Sequence, residues 1–176
     1  MYQTGVPSTI GVAIIGSGFS GLAMAVELKR AGRDDFVILE RANDVAGTWR
    51  DNTYPGCACD VPSHLYSFGF APNPEWSSTF SPQPEIQAYI KRVAEHEGLL
   101  PHVRFGIEVE SAAWDDDGAR GSTMTKASSG LIQPAVSTGF HSARCVGSLL
   151  RYRPMFTSGH SVGRPKSRCS IGWMSS

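Results

Sequence analysis

The sequence predicts an α/β domain that starts on a parallel sheet, and three features of Thr9 to Glu40 carry this expectation. An apolar run, Ile10, Val12, Ala13, Ile14 and Ile15, is short enough for a strand buried on both faces. Phe19, Leu22, Ala23 and Val26 then recur at the spacing of a helix with one buried face, and Gly32 stands where a left-handed residue would end it. A second apolar run, Phe36-Val37-Ile38-Leu39, delivers Glu40. Strand, helix and strand in this order make a βαβ unit.

The turn that links the first strand to the helix, Gly16-Ser17-Gly18-Phe19-Ser20-Gly21, fits the pattern G-x-G-x-x-G. Each glycine has a task in binding a dinucleotide. Gly16 permits the tight turn, Gly18 lets backbone approach a pyrophosphate, and Gly21 lets the helix lie close to the sheet. The helix N-terminus offers unpaired N–H groups and a positive dipole end to phosphates. Glu40, 19 residues after Gly21, is placed to accept hydrogen bonds from ribose hydroxyls. A 2′-phosphate there would face a carboxylate, which disfavours NADP and leaves FAD or NAD. The competing reading is a glycine-rich turn that binds nothing, and the surrounding strand, helix and acid weigh against it.

The chain has 176 residues, enough for one domain with a core and a small appendage. Its formal neutrality conceals an asymmetry. All sixteen acidic residues lie at or before Asp117 with eight of the sixteen basic ones, so residues 1–118 carry a net −8 and residues 119–176 a net +8. This argues for two parts under different constraints, 9–118 as the nucleotide-binding domain and 119–176 as an irregular, poorly ordered tail. No apolar stretch is long enough to span a bilayer, and the run at 10–15 lacks the flanks of a signal peptide. Four cysteines, two of them in Cys57-Ala58-Cys59, make neither a disulfide framework nor the paired spacing of a zinc site. A reduced, cytoplasmic protein without metal is expected. The basic tail has no aromatic-basic pattern, which argues against nucleic acid.

Residues 1–8 read as a loose arm. Arg41 to Pro84 is loop-rich, as a functional surface or cofactor cover would be. Ser81 to Leu100 reads as a helix capped by Ser81 or Gln83, with Pro84 in its first turn, Ile86, Ile90, Val93 and Ala94 as its apolar stripe, and Gly98 at its end. Val103 to Glu110 alternates as one strand, Ser111 to Trp114 extends it, and Asp115-Asp116-Asp117-Gly118 is a hairpin turn signal. The residues after that turn show no apolar alternation, so no return strand is expected and the segment 103–114 should present an open edge. His64, His96, His102 and His160 have no partner acid or nucleophile at a recognisable spacing, which favours surface or core roles.

Between Arg41 and Phe70 a family resemblance enters. The run Ala46-Gly47-Thr48-Trp49-Arg50-Asp51-Asn52-Thr53-Tyr54-Pro55-Gly56-Cys57-Ala58-Cys59-Asp60 resembles the G-G-T-W and N-x-Y-P-G-x-x-C-D signatures of flavin-dependent monooxygenases of the Baeyer–Villiger type. His64-Leu65-Tyr66-Ser67-Phe68 and Gln83-Pro84-Glu85-Ile86 continue it, and the likeness covers about 9–114. Ala46 replaces the first glycine of G-G-T-W.

The resemblance implies a Rossmann-like FAD-binding domain, the first part of a two-dinucleotide-binding flavoprotein. It implies that Gly16, Ser17, Gly18, Phe19, Ser20 and Gly21 take the pyrophosphate and Glu40 the adenosine ribose, with Arg41 beside it. Thr48 and Trp49 would line the flavin, Asp60 and Tyr66 would close over the ring system, and Val109 would lie by the adenine. Read without the family, Trp49 and Tyr66 are equally core aromatics, and Asp60 either tunes a flavin (the one candidate for a catalytic role) or caps a turn. The family reduces FAD with NADPH, takes up O₂ and transfers one oxygen atom to a ketone or a soft nucleophile. A second G-x-G-x-x-G turn for NADPH is absent from the sequence, and of the family's inter-domain motif only His141 is matched. The expectation is the FAD-binding portion of such an enzyme, weakly active or inactive alone. The alternatives are a non-catalytic nucleotide-binding remnant and a different FAD-dependent NAD(P)H oxidoreductase.

Overall fold

The computed structural model describes residues 6–118, 120–127 and 132–139. The sequence readings that fall on residues 1–5 lie outside them, as do those on 119, 128–131 and 140–176 of the tail read as 119–176, including His141 and His160.

Strand β1 (Val12–Ile15), helix α1 (Phe19–Arg30) and strand β2 (Phe36–Glu40) form the expected βαβ unit. β2 pairs in parallel with β1, Ile15 opposite Leu39, and on its other side with β3 (Val103–Phe105), Glu40 opposite Phe105. The strand order β1-β2-β3 makes β2 central, and all five of its residues are buried. β1 was expected to be buried on both faces; it is instead an edge strand whose Ile15 is 60% exposed. An apolar run reports that a strand is mostly covered, but cannot say which neighbours cover it.

Alternation divides β2 between two cores. Phe36 and Ile38 face the helices, where Leu22, Ala25 and Val26 of α1 meet Ile86, Tyr89, Ile90, Val93 and Ala94 of α3 (Gln83–His96). Val37 and Leu39 face the opposite way, against Ile107 and Val109. Gly32 and Gly98 both adopt positive φ just beyond their helices, as their positions predict. Neither Ser81 nor Gln83 caps α3, which contradicts the expectation. Pro82 takes the N-cap position, the Ser81 hydroxyl lies 2.7 Å from that of Ser63, and the Gln83 amide reaches the Trp49 carbonyl.

Two further expectations are corrected. The segment 103–110 is not one strand: Gly106, at φ +70°, breaks it, so β3 joins the parallel sheet and β4 (Ile107–Asp115) enters a second one. A return strand does follow the Asp115–Gly118 turn. β5 (Arg120–Ala127) pairs antiparallel with β4 from Asp115↔Arg120 to Ile107↔Ala127, and β6 (Ile132–Gly139) pairs with β5. The pairing is directed by the turn, where Asp115 Oδ1 accepts from the Gly118 N–H at 3.1 Å, and not by an apolar pattern. The return strand therefore pairs one side of β4, while β3 and β4 each remain an outer strand of their own sheet.

Candidate functional site

The C-terminal ends of β1 and β2 bring the predicted residues together. Gly16 leaves β1 at φ +89°, and its N–H donates to the Leu39 carbonyl at 2.8 Å. Gly21 packs α1 onto this turn so closely that a Cβ there would lie 2.0 Å from the Gly16 carbonyl oxygen. Around Gly16 and Gly18 the reverse holds: nothing approaches a Cβ at the first within 4 Å, and only the Gly47 backbone, at 3.8 Å, approaches the second. The turn is thus tight towards the protein and open outwards. No side chain caps α1 and no acid sits in its first turn, so its N-terminus keeps its positive end.

Glu40 is buried at the head of this turn. Its Oε2 accepts from the Ser17 N–H at 2.9 Å and the Ser17 hydroxyl at 2.6 Å, while Oε1 accepts from the Ala42 N–H at 2.9 Å and pairs with Arg50 Nη1 at 3.1 Å. Burial alone would raise its pKa; the Ser17 hydroxyl, the two backbone N–H groups and the Arg50 charge outweigh it and hold the carboxyl below the usual glutamate range. Arg50 is fixed in turn by the Asp44 carbonyl at 2.6 Å and by two bonds to Asp51, at 2.8 and 3.0 Å. Arg41, named from the sequence as the neighbour of Glu40, is exposed and lies 3.8 Å from Asp51.

The segment Val45–Asp51 lies over the turn. The Ala46 N–H donates to the Ser17 carbonyl at 3.0 Å, and a Cβ on Gly47 would come within 3.1 Å of Gly18 Cα. Ala46 sits at φ +87°, the only non-glycine with positive φ among the described residues, and is 1% exposed. A β-carbon at that φ costs on the order of 1–3 kcal/mol, which explains why the family's pattern has glycine there.

Thr48 opens the short helix α2 (Thr48–Asp51) and is exposed. Trp49 and Tyr66 meet edge to face at 5.6 Å, with the indole N–H donating to the Tyr66 hydroxyl at 2.9 Å. Tyr66 also meets Phe19 at 5.0 Å, so one aromatic wall runs from the glycine turn to the loop. Burial raises the Tyr66 pKa, the Trp49 hydrogen bond opposes it, and the Cys59 and Asp60 charges add to the rise. Asp60 itself is exposed. Val109 packs against Val37, Leu39 and Ile107 on the far face of β2. Cys57 and Cys59 are buried free thiols, and the half-buried His102 stacks on Phe36 at 4.2 Å. No helix of the described residues is long and apolar enough to cross a membrane, and no group of three or more metal-capable side chains exists among them.

A family profile described as an NAD(P)-binding Rossmann-like domain matches residues 14–91. A Baeyer–Villiger monooxygenase of Streptomyces coelicolor is 65% identical over 109 residues, which are 62% of this chain and 21% of that one. Its counterpart in Pseudomonas aeruginosa is 53% identical over 105 residues, 60% of this chain and 20% of that one.

Over about three-fifths of its length this chain is similar to Baeyer–Villiger monooxygenases.

Solved structures agree with that likeness. A steroid monooxygenase bound to NADP superposes with a TM-score of 0.66 at 34% identity, over 74% of this chain and 25% of that one. Cyclohexanone monooxygenase does so with 0.66 at 32% identity, over 76% and 26%. OTEMO in complex with FAD and NADP gives 0.65 at 29% identity, over 73% and 24%. The chain spans about a fifth of the length of the curated Baeyer–Villiger relatives it matches. Two site contacts escaped the sequence reading, Arg50 on Glu40 and Gln83 on the Trp49 carbonyl. Arg50 was visible as a basic residue directly after Trp49, but only the fold brings it to an acid ten positions earlier.

Proposed function

We propose that this chain binds FAD and is the FAD-binding portion of a flavin-dependent monooxygenase. The observation that carries the reading is the Gly16–Gly21 turn, open outwards at Gly16 and Gly18, with the Glu40 carboxylate fixed at its head. On this reading Gly16, Ser17, Gly18, Phe19, Ser20 and Gly21 present backbone and helix dipole to the pyrophosphate. Glu40 takes the adenosine ribose with Arg41 at its rim, and Val109 borders the adenine. Thr48, Trp49, Asp60 and Tyr66 line the flavin, and the Gln83 amide holds the Trp49 backbone in place. These residues all fall within the proposed domain 9–118, and the free buried thiols fit a cytoplasmic setting.

Bound FAD would supply redox chemistry driven by NADPH and O₂, with a ketone or soft nucleophile as the small-molecule substrate. The described residues hold the cofactor, orient its rings against Trp49 and Tyr66, and keep a 2′-phosphate away with Glu40. The carboxylate discriminates because it is ionised throughout the neutral range. The other reading is a nucleotide-binding segment without turnover of its own, favoured by the chain spanning about a fifth of the length of the relatives it matches. NADPH oxidation coupled to oxygenated product by the purified chain would separate the two. The cofactor assignment is tested by Gly18→Val, which places a branched side chain at the open face of the turn. Flavin content, read from the absorbance spectrum of purified protein, should drop at least tenfold; normal flavin retention in the variant would overturn the assignment.

A further inference from the structure

The Glu40 carboxylate is fully subscribed. An ionised carboxylate offers about four acceptor positions, and four donors already stand on this one: the Ser17 N–H, the Ser17 hydroxyl, the Ala42 N–H and the Arg50 guanidinium. A ribose hydroxyl that is to donate to Glu40 must displace one of them. The two backbone donors are fixed by the β1–α1 turn and by the chain leaving β2. Arg50 is held by the Asp44 carbonyl and both Asp51 oxygens, so releasing it breaks several bonds together. The Ser17 hydroxyl, on a fully buried residue, leaves by a rotation about χ1 that breaks one bond, and its residue keeps a backbone bond to the same oxygen.

We propose that Ser17 limits dinucleotide affinity, because its hydroxyl occupies the Glu40 acceptor position that the adenosine ribose takes. The inference rests on the assignment of Glu40 to a bound FAD. At 2.6 Å the contact is a short, charge-assisted bond, the kind that costs most to give up. A residue without a donor at position 17 would leave the position ready and the carboxylate still held by three partners. Ser17 therefore acts on the cofactor through Glu40, as a positioning residue whose hydroxyl competes with the ligand.

The test compares the full chain with Ser17→Ala and Ser17→Cys, the second replacing the hydroxyl with a somewhat larger thiol that is a weak donor, by calorimetric titration. The ligands are FAD, ADP and 2′,3′-dideoxy-ADP, which lacks the ribose hydroxyls. Ser17→Ala should tighten FAD and ADP by about fivefold to tenfold, the worth of one hydrogen bond to a charged group less its rearrangement. Ser17→Cys should shift both in the same direction. Neither variant should change binding of 2′,3′-dideoxy-ADP. Unchanged or weaker ADP binding in both variants would overturn the inference, and so would equal tightening of the dideoxy ligand, which marks a merely structural effect. Should Ser17→Ala not fold, Ser17→Cys decides alone. If the unmodified chain binds neither FAD nor ADP, the cofactor assignment itself falls; if it binds both and the variants do not differ from it, only the inference falls.

Discussion

The parallel sheet of β1, β2 and β3 has a central strand buried residue by residue, with apolar side chains on both faces and one carboxylate at its end. The antiparallel sheet of β4, β5 and β6 places Thr123 and Thr125 in buried positions, and neither hydroxyl finds a hydrogen-bond partner among the described residues. In the first sheet apolar burial supplies the driving force and the backbone ladder follows. In the second the ladder and the Asp115–Gly118 turn set the register, and β-branched threonines fit the pleat at the cost of unpaired oxygens. The contrast shows that two adjoining layers can be equally regular in backbone while drawing stability from different sources.

The largest effect expected from this contrast is at the centre of β2. Ile38 is fully buried between α1 and α3, and Ile38→Ala should cost about 3–4 kcal/mol in denaturant unfolding. A loss below about 1 kcal/mol would remove the distinction between the sheets.

The next effect is electrostatic. Glu40 titrates below the ordinary glutamate value in the folded chain, so its ionised form stabilises the fold. That contribution is present above about pH 4.3, the ordinary glutamate value, and is lost as pH falls through the lower folded value. Thermal melts of Glu40→Gln should therefore show a flatter acid limb than the parent chain. Parallel acid limbs would mean that Ser17 and Arg50 do not hold the carboxylate as described.

The smallest effect should have the opposite sign. Thr125→Val removes a buried, unpartnered hydroxyl at constant shape and should raise stability by about 1 kcal/mol. Destabilisation of similar size would show that the hydroxyl has a partner and that the second sheet is built like the first.

Legibility in the sequence follows the same division. The βαβ unit could be read because strand, helix and turn each carry a local pattern, and Gly21 proved as tight against Gly16 as its place in the motif implies. The α3 stripe Ile86, Ile90, Val93 and Ala94 was legible for the same reason and is buried throughout. β5 was not: Arg120 to Lys126 has no apolar alternation, and its partners are chosen by a turn and by backbone groups common to every sequence. The break at Gly106 was missed because alternation continues across it while the chain changes sheets. At the site, Glu40 was placed by its distance from the glycines, whereas the partners that occupy its oxygens come from three separate stretches of chain. Ala46 shows the limit from the other side: its departure from the G-G-T-W pattern was visible, but the positive φ it must adopt was not.

Strand polarity also sets where chemistry can gather. In the parallel sheet every strand runs the same way, so Ile15 stands beside Leu39, Glu40 beside Phe105, and each chain exit opens onto one common rim. In the antiparallel sheet successive exits alternate between opposite rims, and no rim collects more than every second one. Loops after the parallel strands can therefore diverge in length and composition and still deliver their residues to a shared address. The direction of travel along the backbone, fixed before any side chain is chosen, determines which edge of this molecule natural variation can furnish with new contacts.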